Sequence, residues 1–218
     1  MSVLLDFHYS DTWADPTKQE IPFAWEINLN NDSLLGDMMY DYTYSTLTTL
    51  DSLELSPEIV QIGNEINPMI LQKGNLQWPI DWDRNSLLLN KGIEAVRNFS
   101  EETQNNIEIM LHIAQPENGI WWFDQASNNN VVDYDWIGLS YYPQWSQYNL
   151  SNLETVLTDL RTTYNKKLMI VETAYPFTLQ NIDSANNILG SQGLLINFPA
   201  TQQGLSLIHI SEPTRLSG

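Results

Sequence analysis

Five short apolar runs punctuate this chain, each long enough for a β-strand and too short for a buried helix. They fall at Val3–Phe7, Ile59–Ile62, Ile107–Ile113, Trp136–Ser140 and Leu168–Glu172. Amphipathic stretches separate them. After a cap at Asp32 or Ser33, a helix presents Leu35, Met39, Tyr42 and Leu50. Leu89, Ile93 and Val96 mark a second helix over Asn85–Asn98, and a short one is expected around Ile120–Ala126. Ser151-Asn152-Leu153-Glu154 reads as a capping box, opening a helix through Val156, Leu157, Leu160 and Tyr164. Strand alternating with helix implies parallel pairing through right-handed crossovers. The expected fold is α/β, a partial (β/α)₈ barrel with five strands where closure needs eight.

Two of the runs end abruptly in glutamate: Ile59-Val60-Gln61-Ile62-Gly63-Asn64-Glu65 and Leu168-Met169-Ile170-Val171-Glu172. β-Branched runs of this kind suit strands buried on both faces. Either Glu alone could be an ordinary strand-end or helix-cap residue. Two at the same end of parallel strands, with two further strands between, would face each other across a barrel mouth. At about 5–5.5 Å apart, one carboxylate can attack a sugar carbon while the other protonates the departing oxygen, with retention of configuration. Like charge and partial burial would raise the acid's pKa and keep it protonated near neutrality.

Charge narrows the partner. There are 27 acidic against 9 basic residues, a net charge of -18, and this field repels nucleic acid and anionic membrane. A neutral polysaccharide meets no such penalty. The sequence has no cysteine, which rules out thiol chemistry and disulfides. Residues 1–7 show no leader peptide, and no run of about 18 apolar residues could span a membrane. A monomer is expected.

Four blocks carry a resemblance. Leu5-Asp6-Phe7-His8-Tyr9-Ser10-Asp11-Thr12-Trp13-Ala14-Asp15-Pro16 resembles the segment after the third barrel strand in glycoside hydrolase family 53, a family of endo-β-1,4-galactanases. Gln61–Glu65 resembles its fourth strand, Ile137-Gly138-Leu139-Ser140-Tyr141-Tyr142-Pro143 its sixth, and Val171-Glu172-Thr173-Ala174-Tyr175-Pro176 its seventh. The resemblance runs from residue 3 to about residue 204. It implies Glu65 as acid/base and Glu172 as nucleophile on β-1,4-galactan or arabinogalactan. It also implies Asn64 at the 2-hydroxyl of the sugar being cleaved, Tyr142 donating to Glu172, and His8 lining the same subsite. Tyr141 would point the other way, since neighbours along a strand alternate. Trp13, Trp25 and Trp145 follow strands, where indole faces can stack on sugars. Trp136, inside a strand, is the expected core filler. Asp11 and Asp15 bind hydroxyls or brace their loop.

No cofactor is expected for the chemistry. Asn181, Asp183, Asn186 and Asn187, after the seventh strand, offer oxygen ligands of the kind Ca²⁺ prefers, and some bacterial members of the family hold Ca²⁺ there; turn-forming Asn and Asp explain the composition equally well. A structural Ca²⁺ on Asp183 and Asn187 is therefore an open expectation. The resemblance places the parent protein outside the cell or at its surface. It also implies that the first, second and eighth strands are missing, with Met1 an internal methionine. Strands three and seven would then be open edges prone to aggregation, and this product inactive or insoluble. The expected division is a partial glycosidase domain over 1–204 and a non-native tail over 205–218, whose Ser206–Arg215 resembles translated adapter sequence.

Overall fold

The computed structural model describes residues 2–185 and 187–211. Five parallel strands, β1 (Leu4–Phe7), β2 (Ile59–Ile62), β3 (Glu108–Ala114), β4 (Trp136–Ser140) and β5 (Lys167–Glu172), lie side by side in chain order. Crossovers carry α1 (Asp32–Ser52), α2 (Trp82–Thr103), α3 (Pro116–Asn128) and α4 (Leu150–Tyr164), and α5 (Gln202–Ser211) follows β5. Among the described residues the sheet is open, with β1 and β5 at its edges. Of the tail expected from Leu205 onward, residues 205–211 continue α5 and residues 212–218 lie outside the described residues.

Period-two alternation sorts the side chains into two layers. Phe7, Ile62, Ile109, Leu111, Ile113, Ile137 and Leu139 are buried, and the helices pack on this set. Gly92 of α2 lies so close that a Cβ there would meet Ile62 Cγ2 at 3.0 Å and Met39 Cε at 2.8 Å. Alternating with them along β1 to β4 stand Asp6, Gln61, His112 and Ser140. The last three are almost inaccessible. β2, β3 and β4 are thus buried on both faces, the second of them largely polar, whereas β5, expected to be buried likewise, is only partly buried because it lies at the sheet edge.

Local details depart from the sequence expectations. Asn31, not Asp32 or Ser33, caps α1, its side chain accepting from Leu34 N at 3.1 Å. Thr43 and Leu47 are buried in α1, while Tyr42 is 49% exposed and lays its ring edge-on to Phe7 and Trp25. The capping box of α4 is built by Asn149 and Asn152, two residues before the expected Ser and Glu. α2 begins at Trp82 because Asp81 caps it. The core indole is Trp122 of α3, wholly buried, whereas Trp136 is only partly buried and donates Nε1–H to Glu108 at 2.8 Å.

Candidate active site

The chain leaves β2 through a tight turn. Gly63 has φ +85°, and a Cβ there would come within 2.4 Å of Ile66 Cγ2, so glycine is required. Glu65 itself takes φ +45°, a conformation costly for a side-chain-bearing residue. Surrounding bonds hold it: Ile66 N donates to the His112 carbonyl at 2.9 Å, and Gln19 Nε2 donates to the carbonyls of Asn64 and Glu65. This turn brings the Glu65 side chain back over the end of the sheet.

Glu172 closes β5, three strands away. A carboxylate oxygen of Glu65, one of Glu172 and a ring nitrogen of His112 all lie within 4.8 Å of one another. Tyr142 Oη donates to Glu172 Oε2 at 3.0 Å. Burial and the neighbouring Glu172 charge hold its phenol far above the usual range, so it stays a donor. Tyr141 points elsewhere, donating to the Tyr148 carbonyl at 3.1 Å.

Glu65 is 8% exposed. Burial pushes its carboxyl up to about 7; a hydrogen bond donated by Ser140 would pull it down, and the charges of Glu172 and Asp15 add to the rise. Ser140 Oγ bonds Glu65 Oε1, and His112 Nε2 lies 2.8 Å behind that hydroxyl. His112 Nδ1 meets Asn64 Oδ1 at 2.9 Å. With both ring nitrogens engaged inside the protein, His112 has no lone pair free for a metal ion. The trio is a pair of carboxyl groups with an imidazole buttress behind one of them.

Such a pair can perform double displacement, and comparison with known proteins identifies the lineage. The family model described as Glycosyl hydrolase family 53 matches residues 1–210. The chain belongs to glycosyl hydrolase family 53. It is 53% identical over 206 residues to the arabinogalactan endo-beta-1,4-galactanase of Cellvibrio japonicus, covering 94% of this chain and 54% of that protein. It is 38% identical to the endo-beta-1,4-galactanase of Bacillus subtilis, covering 94% and 45%. The GH53 catalytic domain of Ignisphaera aggregans superposes with a TM-score of 0.83 at 34% identity, covering 96% of this chain and 57% of that one. The chain therefore spans about half the length of the curated relatives it matches, and its five-stranded sheet is part of a (β/α)₈ barrel.

The remaining expected residues divide between the family 53 site and its surroundings. His8 accepts from Ala14 N at Nδ1 (3.1 Å) and faces Asp6 Oδ2 from Nε2 at 3.1 Å, which makes it a neutral ring protonated on Nε2. Burial pulls His8 down, with the Glu172 charge opposing. Trp13 is 65% exposed and sets its ring edge-on to His8, 4.7 Å away. Trp145 is half-exposed, 5.0 Å from the Tyr142 ring. Trp25 packs edge-on against Tyr42 and is partly buried on the core. Asp11 accepts from Phe23 N at 2.8 Å and Asp15 from Thr17 N at 2.7 Å, so both brace their loop. Asn64 is fully buried, with Nδ2 donating to the Ala14 carbonyl. Any contact to a sugar hydroxyl falls to its second amide hydrogen. In the loop after β5, Asp183 Oδ1 accepts from Ala185 N and Asn187 Nδ2 donates to the Gln180 carbonyl. These are turn bonds; Asn186 lies outside the described residues.

Sequence reasoning missed Gln19, His112 and Ser140, the groups that hold Glu65. His112 carried a signal, since a lone imidazole in the apolar run Met110-Leu111-His112-Ile113 has to find partners. It also missed a groove of about 610 Å³ lined by Asn67, Pro68, Trp78, Glu117 and Trp121. The rings of Trp78 and Trp121, both exposed, stand 5.5 Å apart.

Proposed function

We propose that this chain carries the catalytic pair of an endo-acting β-1,4-galactanase that hydrolyses galactan or arabinogalactan with retention. The observation that carries the reading is the approach of Glu65 and Glu172 oxygens to within 4.8 Å at the C-terminal edge of the sheet, in the range that suits direct attack and leaves little room for an intervening water. Glu172 attacks the anomeric carbon while Glu65 gives its proton to the departing glycosidic oxygen. Esterification removes the Glu172 charge, the Glu65 carboxylate then takes a proton from water, and that water releases the sugar. Tyr142 steadies Glu172 for the first step.

The groove between Trp78 and Trp121 begins two residues after Glu65. On this reading it takes the leaving part of the polysaccharide, with indole faces against the sugar rings, and Trp13 and Trp145 serve the other side. A polymer of this kind is met outside the cytoplasmic membrane, so the protein acts there; among the described residues no helix is long and apolar enough to cross a membrane. The surface needs no metal or cofactor for these steps, and a monomer suffices.

The test is incubation of the chain with an aryl 2-deoxy-2-fluoro-galactobioside, followed by mass spectrometry of its peptides. An ester on Glu172, with β-1,4-galactan preferred over xylan, mannan and β-glucan, is the expected result. A first product of inverted configuration, or labelling elsewhere, overturns the mechanism. The open sheet favours a second reading, a chain that binds galactan without cleaving it. In that case Glu172→Gln leaves binding intact and no preparation shows hydrolysis.

A further inference from the structure

The polar layer behind Glu65 has a direction. Asn64 Nδ2 donates to the Ala14 carbonyl at 2.8 Å, which turns Asn64 Oδ1 toward His112 Nδ1 at 2.9 Å. An amide oxygen can only accept, so Nδ1 carries the hydrogen. Gln61 Nε2 and Glu65 N also face Nδ1, at 3.2 and 3.4 Å, but the shorter contact to an obligate acceptor sets the tautomer. His112 is fully inaccessible, and burial pulls its pKa down to about 3, so it is neutral and Nε2 holds a lone pair. Ser140 has one hydrogen, and Nε2 at 2.8 Å takes it. For Glu65 Oε1, which meets the same Oγ, that leaves a Ser140 lone pair, the reverse of a hydroxyl donated to a carboxylate. A carboxylate there would be repelled, whereas a carboxylic acid O–H is bound.

We propose that the buried chain Ala14–Asn64–His112–Ser140 fixes a proton on Glu65 Oε1, with Ser140 as the acceptor and His112 as a positioning residue. A Ser140 that donated to Glu65 would favour the carboxylate; the His112 tautomer dictates the reverse. The reserve proton is what a glycosidic oxygen competes for when it arrives. Other groups facing Glu65 act alongside: Glu172 from β5, Asp15 from the loop after β1, and Tyr142 from the end of β4. His8 and Asp6 bear on this cluster through Glu172 and His112. None of them is a cation.

The inference rests on Glu65 being the acid/base of the proposed function, yet its test needs no turnover. Nitrogen-15 NMR of the unsubstituted chain reads the His112 tautomer directly. A protonated Nδ1 with a bare Nε2 supports the proposal, and a protonated Nε2 overturns it. Carbon-13 titration of the Glu65 carboxyl, assigned with Glu65→Gln, gives the second readout. Ser140→Ala is expected to lower the Glu65 pKa by about one unit, the scale of one hydrogen bond to the neutral form. An upward shift, or none, overturns it. Failure to cleave galactan would sink the proposed function and leave both readouts standing.

Discussion

The two glutamates meet over the same few ångströms but are held by opposite kinds of structure. Glu65 follows a central strand and is fixed from behind by wholly buried groups on β3 and β4. Glu172 ends an edge strand whose residues are partly exposed, and the side-chain bond to its carboxylate comes from Tyr142. The interior wing sets a protonation state, since burial and neighbouring charge make Glu65 an acid near neutrality. On the proposed reading, the edge wing presents the nucleophile on a strand with one unpaired side. A catalytic acid needs a shaped environment more than exposure does, and this fold supplies it from the middle of its sheet.

Removing the edge carboxylate is the harshest test. Glu172→Gln is expected to take galactan hydrolysis to background, a loss on the order of 10⁴–10⁶-fold, the scale of nucleophile removal in other hydrolases. Activity within about tenfold of the parent would break the comparison. Glu65→Gln comes next, with a loss of about 10²–10⁴-fold on polysaccharide. Because only the acid is gone, formation of the glycosyl ester from substrates with good leaving groups should survive, and added azide should restore its breakdown. Equal damage to all substrates would mean that Glu65 is not the acid. Tyr142→Phe removes one donor from Glu172 and is expected to cost about tenfold in kcat with little change in KM, read from initial rates.

Sequence alone made the frame of this site legible because strand runs have a strong signature and two of them end in glutamate. Ile59–Ile62 and Trp136–Ser140 coincide with β2 and β4, and the choice of Tyr142 over Tyr141 followed from alternation. The caps of α1 and α4 were misplaced by one to a few residues because Asn31, Ser33, Asn149 and Ser151 are all competent acceptors, and tertiary packing selects among them. The polar layer stayed hidden for a different reason. Gln61, His112 and Ser140 become partners only through the register that sets β2, β3 and β4 side by side, which no local pattern encodes. The Trp78–Trp121 groove depends likewise on two crossovers meeting.

The smallest expected effect concerns stability and turns on a carboxyl of the other edge strand. Asp6 of β1 has Oδ1 buried without a partner, and burial pushes its carboxyl up to about 7, alongside Glu65. Both groups are protonated in the folded chain at pH values where the unfolded chain has already ionised. A raised carboxyl pKa contributes stability that is complete below the unfolded value near 4 and is lost as pH climbs through the folded value. Melting temperature should therefore fall between about pH 4 and pH 7 through these groups. Asp6→Asn keeps the shape and removes one titration, so its melting curve should flatten across that window and converge with the parent at the acid end. Glu172→Gln should shrink the Asp6-dependent slope without abolishing it, since burial is the larger cause of the Asp6 shift and the Glu172 charge only adds to it. A parent chain that instead grows more stable from pH 4 to pH 7, with Asp6→Asn tracking it, would show that Asp6 is ionised in the fold and that the interior of this sheet is wetter than its side chains imply.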